Sequence, residues 1–283
     1  MEVGDAEVDQ GRPYHGRLAR TVCGCGLAGV AGEAQTLLTV PAEYATRLEH
    51  SRASPHLPEP VGRNLGATAG ARLSKIQTAV VWGRGEFNFF GLVWFPMRYV
   101  AYYDIPKREF RREIELTWFG MPVFGGYDAY VGGKGILKFG GLLGLLNVSD
   151  SGAKTDQGDN MAMWGELLGY APSASVLDQE VHWESIDPTS SRLVFPPGHG
   201  EDSLRVQFDP ESGLIEHVSG MRYRDDEETK APWRGENQGG WKTVHGIKMA
   251  RRSVGRWEDW EQPYIILDLE GVQYNVDVSE KLR

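Results

Sequence analysis

Glu166 is the residue best placed in the sequence for acid–base chemistry. It lies in the segment 156–170, beside Trp164 and Leu167, in a notably apolar stretch. A carboxyl group in apolar surroundings loses hydration, and this loss raises its pKa toward the range that a general acid or base needs. Two alternatives assign Glu166 no chemistry: exposure on the outer face of a helix, or an ion pair with an arginine such as Arg98, Arg112 or Arg222.

Tyr170 and His182 are the polar residues expected to assist Glu166 in a reaction. His182 and Glu184 flank Trp183 and therefore share one face of a predicted strand, where they could be metal ligands or simply face solvent. Two ligands do not complete a metal site. Cys23 and Cys25 have no second pair at metal spacing. We therefore expect no metal.

Cofactor-binding loops are not evident in the sequence. There is no Gly-x-x-x-x-Gly-Lys-Ser/Thr phosphate loop and no Gly-x-Ser-x-Gly nucleophile turn. The run Gly83-Arg84-Gly85 is a fragment of a dinucleotide fingerprint, and it lacks the third glycine and the following helix. We expect no cofactor.

Large aromatic side chains are concentrated between Trp82 and Phe124. So many rings on a curved sheet would either fill its interior or line a cavity for an apolar ligand. Later tryptophans, such as Trp233 and Trp241, lie among glycines and charged residues and are interpreted as loop and strand-edge aromatics. The residues predicted to line a cavity are Trp82, Phe89, Trp94, Trp118 and Trp164.

The elements that must position these residues are mostly strands. Arg112, Ile114, Leu116 and Trp118 alternate with charged or polar residues, which is the period of a half-buried strand. Similar patterns recur along the chain, and turn-forming residues separate them. Residues 156–170 break the pattern, because Met161, Trp164, Leu167 and Leu168 have helical spacing and Thr155 or Asp156 can cap the start. We predict a strongly curved antiparallel half-barrel of about ten or more strands, wrapped around one mid-chain helix.

Two regions differ in composition. Residues 1–56 are polar and rich in Gly, Ala and Pro, and they are predicted to form a partly helical or flexible N-terminal segment. Residues 57–283 are predicted to form the half-barrel domain.

Charge and hydropathy exclude two classes of partner. The 283 residues contain 30 Lys and Arg against 39 Asp and Glu, for a net charge of −9. Nucleic-acid binding needs a basic surface, so we do not expect it. No apolar run approaches the length of about 20 residues that a transmembrane helix needs. A cytoplasmic location is expected; the alternative is export, since residues 17–32 faintly resemble a signal peptide.

Six short segments, taken in order from Leu57 to Val278, resemble a bacterial domain-of-unknown-function family. In that family an arginine often precedes the helix tyrosine, whereas this chain has Gly169, so the resemblance leaves Glu166 without that partner. The resemblance implies no established activity, and its strand pattern is similar to the half-barrel of bacterial lipoprotein carriers. The segments are Leu57-Pro58-Glu59-Pro60-Val61-Gly62-Arg63-Asn64-Leu65, Gly85-Glu86-Phe87, Asp128-Ala129-Tyr130-Val131-Gly132-Gly133-Lys134-Gly135, Gly165-Glu166-Leu167-Leu168 with Tyr170, Trp183-Glu184-Ser185-Ile186-Asp187, and Pro232-Trp233-Arg234-Gly235.

Three functional hypotheses follow. The leading one is a binding module that holds a hydrophobic or amphipathic, lipid-like small molecule inside the curved sheet. The alternative is a cofactor-independent isomerase, cyclase or hydrolase that uses Glu166 in the same cavity. The third is a purely structural or interaction domain, which predicts an interior completely filled by side chains.

Overall fold

The computed structural model describes residues 48–51, 57–70, 73–89, 91–141, 144, 146–196, 202–224 and 227–283. The predicted N-terminal segment, residues 1–56, lies outside the described residues except for 48–51. A short strand, β1 (Glu49–Ser51), pairs there with β2 (Leu73–Lys75) in a small antiparallel sheet.

The remaining strands form one antiparallel sheet of 13 strands. Its spatial order is β8-β7-β6-β5-β4-β3-β15-β14-β13-β12-β11-β10-β9, so most neighbours in space are neighbours in sequence. The strands are β3 (Thr78–Phe89), β4 (Val93–Asp104), β5 (Glu109–Trp118), β6 (Met121–Val131), β7 (Lys134–Gly141), β8 (Leu146–Ser151), β9 (His182–Asp187), β10 (Ser190–Val194), β11 (Ser203–Phe208), β12 (Ile215–Tyr223), β13 (Lys230–Val244), β14 (Ile247–Trp257) and β15 (Ile265–Tyr274).

The main helix, α2 (Ala153–Tyr170), connects the two edge strands across the inner face of the sheet, with the short α3 (Ala174–Leu177) following it. It contacts β6, β7 and β8 from one half of the sheet and β11, β12 and β14 from the other. One helix can touch both halves only if the sheet curves around it. The predicted half-barrel around a mid-chain helix is therefore confirmed.

Burial of α2 explains its composition. Met161, Trp164, Leu167 and Leu168 are at most 5% exposed, as the helical spacing predicts. Met163, on another face, is also buried because the sheet surrounds the helix. The start of the helix differs from the prediction: it begins after Gly152, with no side-chain cap.

Asp156 has a different role from the predicted cap. One carboxylate oxygen accepts a hydrogen bond from the Gly135 N–H at 2.7 Å, and the other contacts Lys134 at 3.0 Å. The side chain therefore joins the helix to β7 instead of satisfying the helix's own N–H groups.

The outer face of the sheet has a smaller core of its own. Val80 and Trp82 of β3 and Val100 of β4 are buried there against Val278 and Leu282, which follow β15. Helix α1 (Glu59–Ala69) contacts β14 and β10, in the half of the sheet that runs from β15 to β9. Over residues 79–82 both faces of β3 are thus apolar and buried, whereas Arg84 and Glu86 farther along the strand are exposed.

Candidate functional site

Glu166 lies at the centre of a buried ionic cluster on the inner face of the sheet. One carboxylate oxygen accepts a hydrogen bond from the Arg112 guanidinium of β5, and the other accepts one from the Tyr103 hydroxyl of β4. Arg112 also donates two hydrogen bonds to Asp128 of β6, one of them 3.0 Å long. The alternative of an ion pair with Arg112 is the arrangement observed, and Arg112 supplies the partner that Gly169 cannot.

Burial and charge both perturb the groups of this cluster. Burial alone would lower the pKa of Arg112, but Asp128 and Glu166 raise it well above its usual range. Burial raises the pKa of Tyr103, and the Glu166 charge raises it further. The guanidinium therefore stays charged and the Tyr103 hydroxyl stays protonated at neutral pH. Both hold the Glu166 carboxylate in place.

Asp159 is a second buried carboxyl, on the preceding part of α2. It is 4% exposed, and its nearest cation is Arg222, with 4.0 Å between the guanidinium nitrogen and the carboxyl oxygen. Burial is the largest cause that raises the pKa of Asp159 to about 8, and the charge of Asp128 raises it further against Arg222 and Arg112. Asp159 is therefore largely protonated at pH 7.

A cleft opens beside Glu166, between α1, α2 and strands β12 to β15. Its cavity volume is about 100 Å³, and the cleft is open to solvent on one side. Arg112, Glu166 and Tyr170 contribute polar groups to its lining, and Lys248 and Asn237 contribute others. Most of the lining is apolar, including Ile215, Val218, Trp233, Met249, Val254, Ile265 and Leu267.

Glycines determine the shape of this cleft. A Cβ atom at Gly235 would lie 3.2 Å from both Trp233 and Val218, so this glycine lets the indole lie close against the strand. A Cβ atom at Gly169 would meet no atom within 4 Å, although Gly169 lines the cleft. The missing side chain at position 169 therefore leaves space that a larger residue would occupy.

The structure brings two of the three predicted catalytic residues to the same cleft. Glu166 and Tyr170 both line it. His182 lies on the edge strand β9, where its side chain is 62% exposed and 3.8 Å from Glu184. Trp183 between them is half-buried and packs against Phe208, as the plain interpretation of this strand predicts. Acid–base chemistry at Glu166 stays a prediction.

The five predicted ligand-binding aromatics do not line one common site. Trp82 faces the outer core, and Trp164 is fully buried, stacked on Phe195. Trp94 is half-buried on β4, in register with Asn88. Phe89 and Trp118 lie near the end of the sheet where β3 turns into β4 and β5 turns into β6. None of the five lines the cleft described above.

Sequence reasoning missed the two tryptophans that do line the cleft. Trp233 is 7% exposed on β13, not at a strand edge, and its indole N–H donates to the Tyr264 hydroxyl at 2.9 Å. Trp241 lies farther along the same strand. The alternation of Trp233 with Gly235 was the available signal, because a small residue two positions away makes room for a large ring.

Two further findings concern the described residues. Among them, no group of three or more His, Cys, Asp or Glu side chains could hold a metal ion. None of the helices in this part of the chain combines the length and the apolar composition needed to cross a membrane.

Comparison with known proteins gives a family and a similarity to solved structures. No curated protein matches the chain. A LolA superfamily protein from Nitrosomonas europaea superposes with a TM-score of 0.46 and 8% sequence identity, over 79% of this chain and 96% of that one. The family model described as a family of unknown function, DUF6544, matches residues 48–269. Since this match spans more than half of the chain, the protein belongs to the DUF6544 family.

Proposed function

We propose that the protein binds a hydrophobic or amphipathic small molecule in the cleft between α2 and β12 to β15. The observation that carries the proposal is the apolar lining of a cleft that side chains leave open, with Trp233 and Leu267 among its walls. Removing apolar ligand surface from water stabilises such a complex by about 25 cal/mol per Å². Concave, mostly apolar sites with a few fixed polar groups are typical of small-molecule binding.

The polar groups of the cleft favour an amphipathic ligand over a purely apolar one. Glu166 and Arg112 are fixed by their mutual hydrogen bond, and Asn237 is fixed by donating to the Ile215 carbonyl at 2.9 Å. Polar groups held in place in this way orient a ligand at little conformational cost. A molecule with an apolar body and one polar end satisfies both parts of the lining.

Titration with a brominated fatty acid tests the proposal. Bromine quenches indole fluorescence at short range, and Trp233 and Trp241 line the cleft. We expect saturable quenching with a stoichiometry of one, and native mass spectrometry of the freshly purified chain should detect a bound small molecule. Absence of both saturable quenching and a co-purifying molecule would contradict the proposal.

Filling the cleft from position 169 is expected to weaken binding. Gly169→Leu places an apolar side chain at the wall of the cleft, where an added Cβ atom would meet no other atom within 4 Å. Removing Gly from a helix also favours helix formation by up to about 1 kcal/mol, so the variant should stay folded. We expect the dissociation constant of the brominated fatty acid to rise at least about tenfold, a loss of about 1.4 kcal/mol.

Gly169→Ala is the matched control for this variant. It adds a single methyl group and the same helix preference, so it should bind nearly as well as the original chain. If Gly169→Leu and Gly169→Ala bind with equal affinity while both melt at the original temperature or above, the ligand does not occupy this cleft.

A further inference from the structure

Two neighbouring hairpins expose large apolar side chains at one end of the sheet. The β3–β4 hairpin exposes Leu92 (83%) and Val93, and the β5–β6 hairpin exposes Trp118, Phe119 (90%) and Met121 (64%). We call these five residues the apolar tip. Since β4 and β5 are paired antiparallel strands, the two hairpins turn at the same end of the sheet. The rings of Phe95 in β4 and Trp118 in β5, with 5.3 Å between their centroids, connect the two hairpins. Such a cluster differs from scattered exposed apolar residues, which need no explanation.

The turn of the β5–β6 hairpin exposes its aromatic ring despite an unfavourable backbone. Phe119 and Gly120 are the two residues between the paired Trp118 and Met121, with φ angles of 51° and 78°. Two positive φ angles are those of a type I′ turn, whose preferred first residue is Asn or Asp. A phenylalanine in the left-handed region is sterically disfavoured. The strain is not offset by burial of the ring, because Phe119 has only an edge contact with the neighbouring Trp118 ring, at 5.5 Å between centroids, and is almost fully exposed.

The chemistry of the two hairpins points to a bilayer surface and not to a protein. Residues 91–97 and 118–124 include no charged side chain, and the Trp indoles are their only side-chain hydrogen-bond donors. Protein interfaces carry about one hydrogen bond per 100–200 Å² and have a polar rim. A bilayer requires no such partners, and it accepts Trp at the headgroup level with Leu, Phe and Met below.

We propose that the apolar tip docks the protein on the surface of a lipid bilayer, inserting its side chains at the boundary between headgroups and acyl chains. The net charge of −9 and the uncharged tip mean that apolar burial, not attraction to anionic lipid, supplies the affinity. Insertion stays shallow because the open backbone groups of a turn cannot enter the hydrocarbon without partners.

A row of rings extends from the tip into the curved sheet. Phe95 contacts Phe124 at 5.6 Å between ring centroids, and Phe124 stacks on Phe89 at 5.4 Å. Phe89 contacts Phe87, which pairs in register with Ile265 of the cleft lining. The docked face and the proposed ligand cleft thus belong to one continuous apolar interior. Docking itself does not depend on the cleft being occupied.

The experiment is flotation of the full chain with vesicles of pure phosphatidylcholine. We expect the chain to float with the vesicles equally in low salt and in about 0.5 M salt. Salt screens attraction between charges, whereas docking by apolar side chains does not depend on such attraction. Phe119→Asn should lower the partition coefficient at least about tenfold, because one large apolar side chain is lost from the tip. The same variant should melt at an equal or higher temperature, because Asn-Gly suits a type I′ turn.

Matched methionines give the control. Met121→Asn removes a tip residue and should weaken flotation, whereas Met221→Asn removes an exposed methionine of β12 and should not. Gly169→Leu should float normally, which separates docking from ligand binding. The proposal is overturned if the chain does not float, if Phe119→Asn and Met221→Asn float equally well, or if salt abolishes flotation. It is also overturned if sedimentation shows that the chain forms a dimer, that Phe119→Asn dissociates this dimer, and that vesicles bind neither the original chain nor Phe119→Asn.

Discussion

Arg112→Met is expected to destabilise the protein by about 3–5 kcal/mol at pH 7, which is the usual result of removing one partner from a buried charge cluster. Arg112 is 9% exposed, and its guanidinium contacts Asp128 and Glu166. Methionine matches its length but supplies no charge and no N–H donor, so both carboxylates keep their burial and lose their cation. Urea unfolding, followed by far-ultraviolet circular dichroism, measures the loss.

A charge-free version of the cluster separates lost charge balance from lost packing. Arg112→Met combined with Asp128→Asn and Glu166→Gln removes all three charges, and Tyr103 can still donate to the amide oxygen at position 166. This triple variant should recover about 2 kcal/mol or more relative to Arg112→Met alone. If the single and triple variants have equal stability, the unpaired charges are not the cause of the loss.

Asp159→Asn is expected to stabilise the protein increasingly as the pH rises from 5 to 8. The carboxyl of Asp159 ionises near pH 3.8 when the chain is unfolded, whereas burial raises its pKa to about 8 in the folded state. Between these values the folded state binds one proton more than the unfolded state. Stability contributed by Asp159 is therefore present at low pH and falls by about 1.4 kcal/mol per pH unit as the pH rises.

Asparagine at position 159 removes this dependence because it does not ionise. The difference in unfolding free energy between the variant and the original chain should grow by roughly 3 kcal/mol between pH 5.5 and 7.5 and level off above pH 8. Asp156→Asn, on the same helix, is the control. Its carboxylate bonds Gly135 and Lys134, so that replacement should destabilise at both pH values. A pH-independent difference for Asp159→Asn would contradict the assignment.

The sequence alone determined the fold class and the local periodicity. Alternation along Arg112, Ile114 and Leu116 identified a strand with a buried row, and all three residues lie in the interior. The alternation ends after Ile114, because Glu115 and Thr117 are buried as well and Trp118 is exposed at the turn. Helical spacing identified the buried face of α2. These predictions succeed because side-chain periodicity is a property of the local backbone, and the local backbone follows the residues themselves. A charged residue in the buried row, Arg112, was already the signal of a buried ion pair.

Only the tertiary structure decided which face of each strand points inward and which residues meet. Period-2 alternation shows that Val80 and Trp82 share a face, but residues 79–82 of β3 are apolar on both faces, and the residues after β15 cover the face that holds Trp82. The cleft likewise joins Gly169 of α2, Trp233 of β13 and Ile265 of β15. Curvature of the sheet brings these distant segments together, and curvature arises from the packing of many strands around one helix, not from any single stretch of sequence.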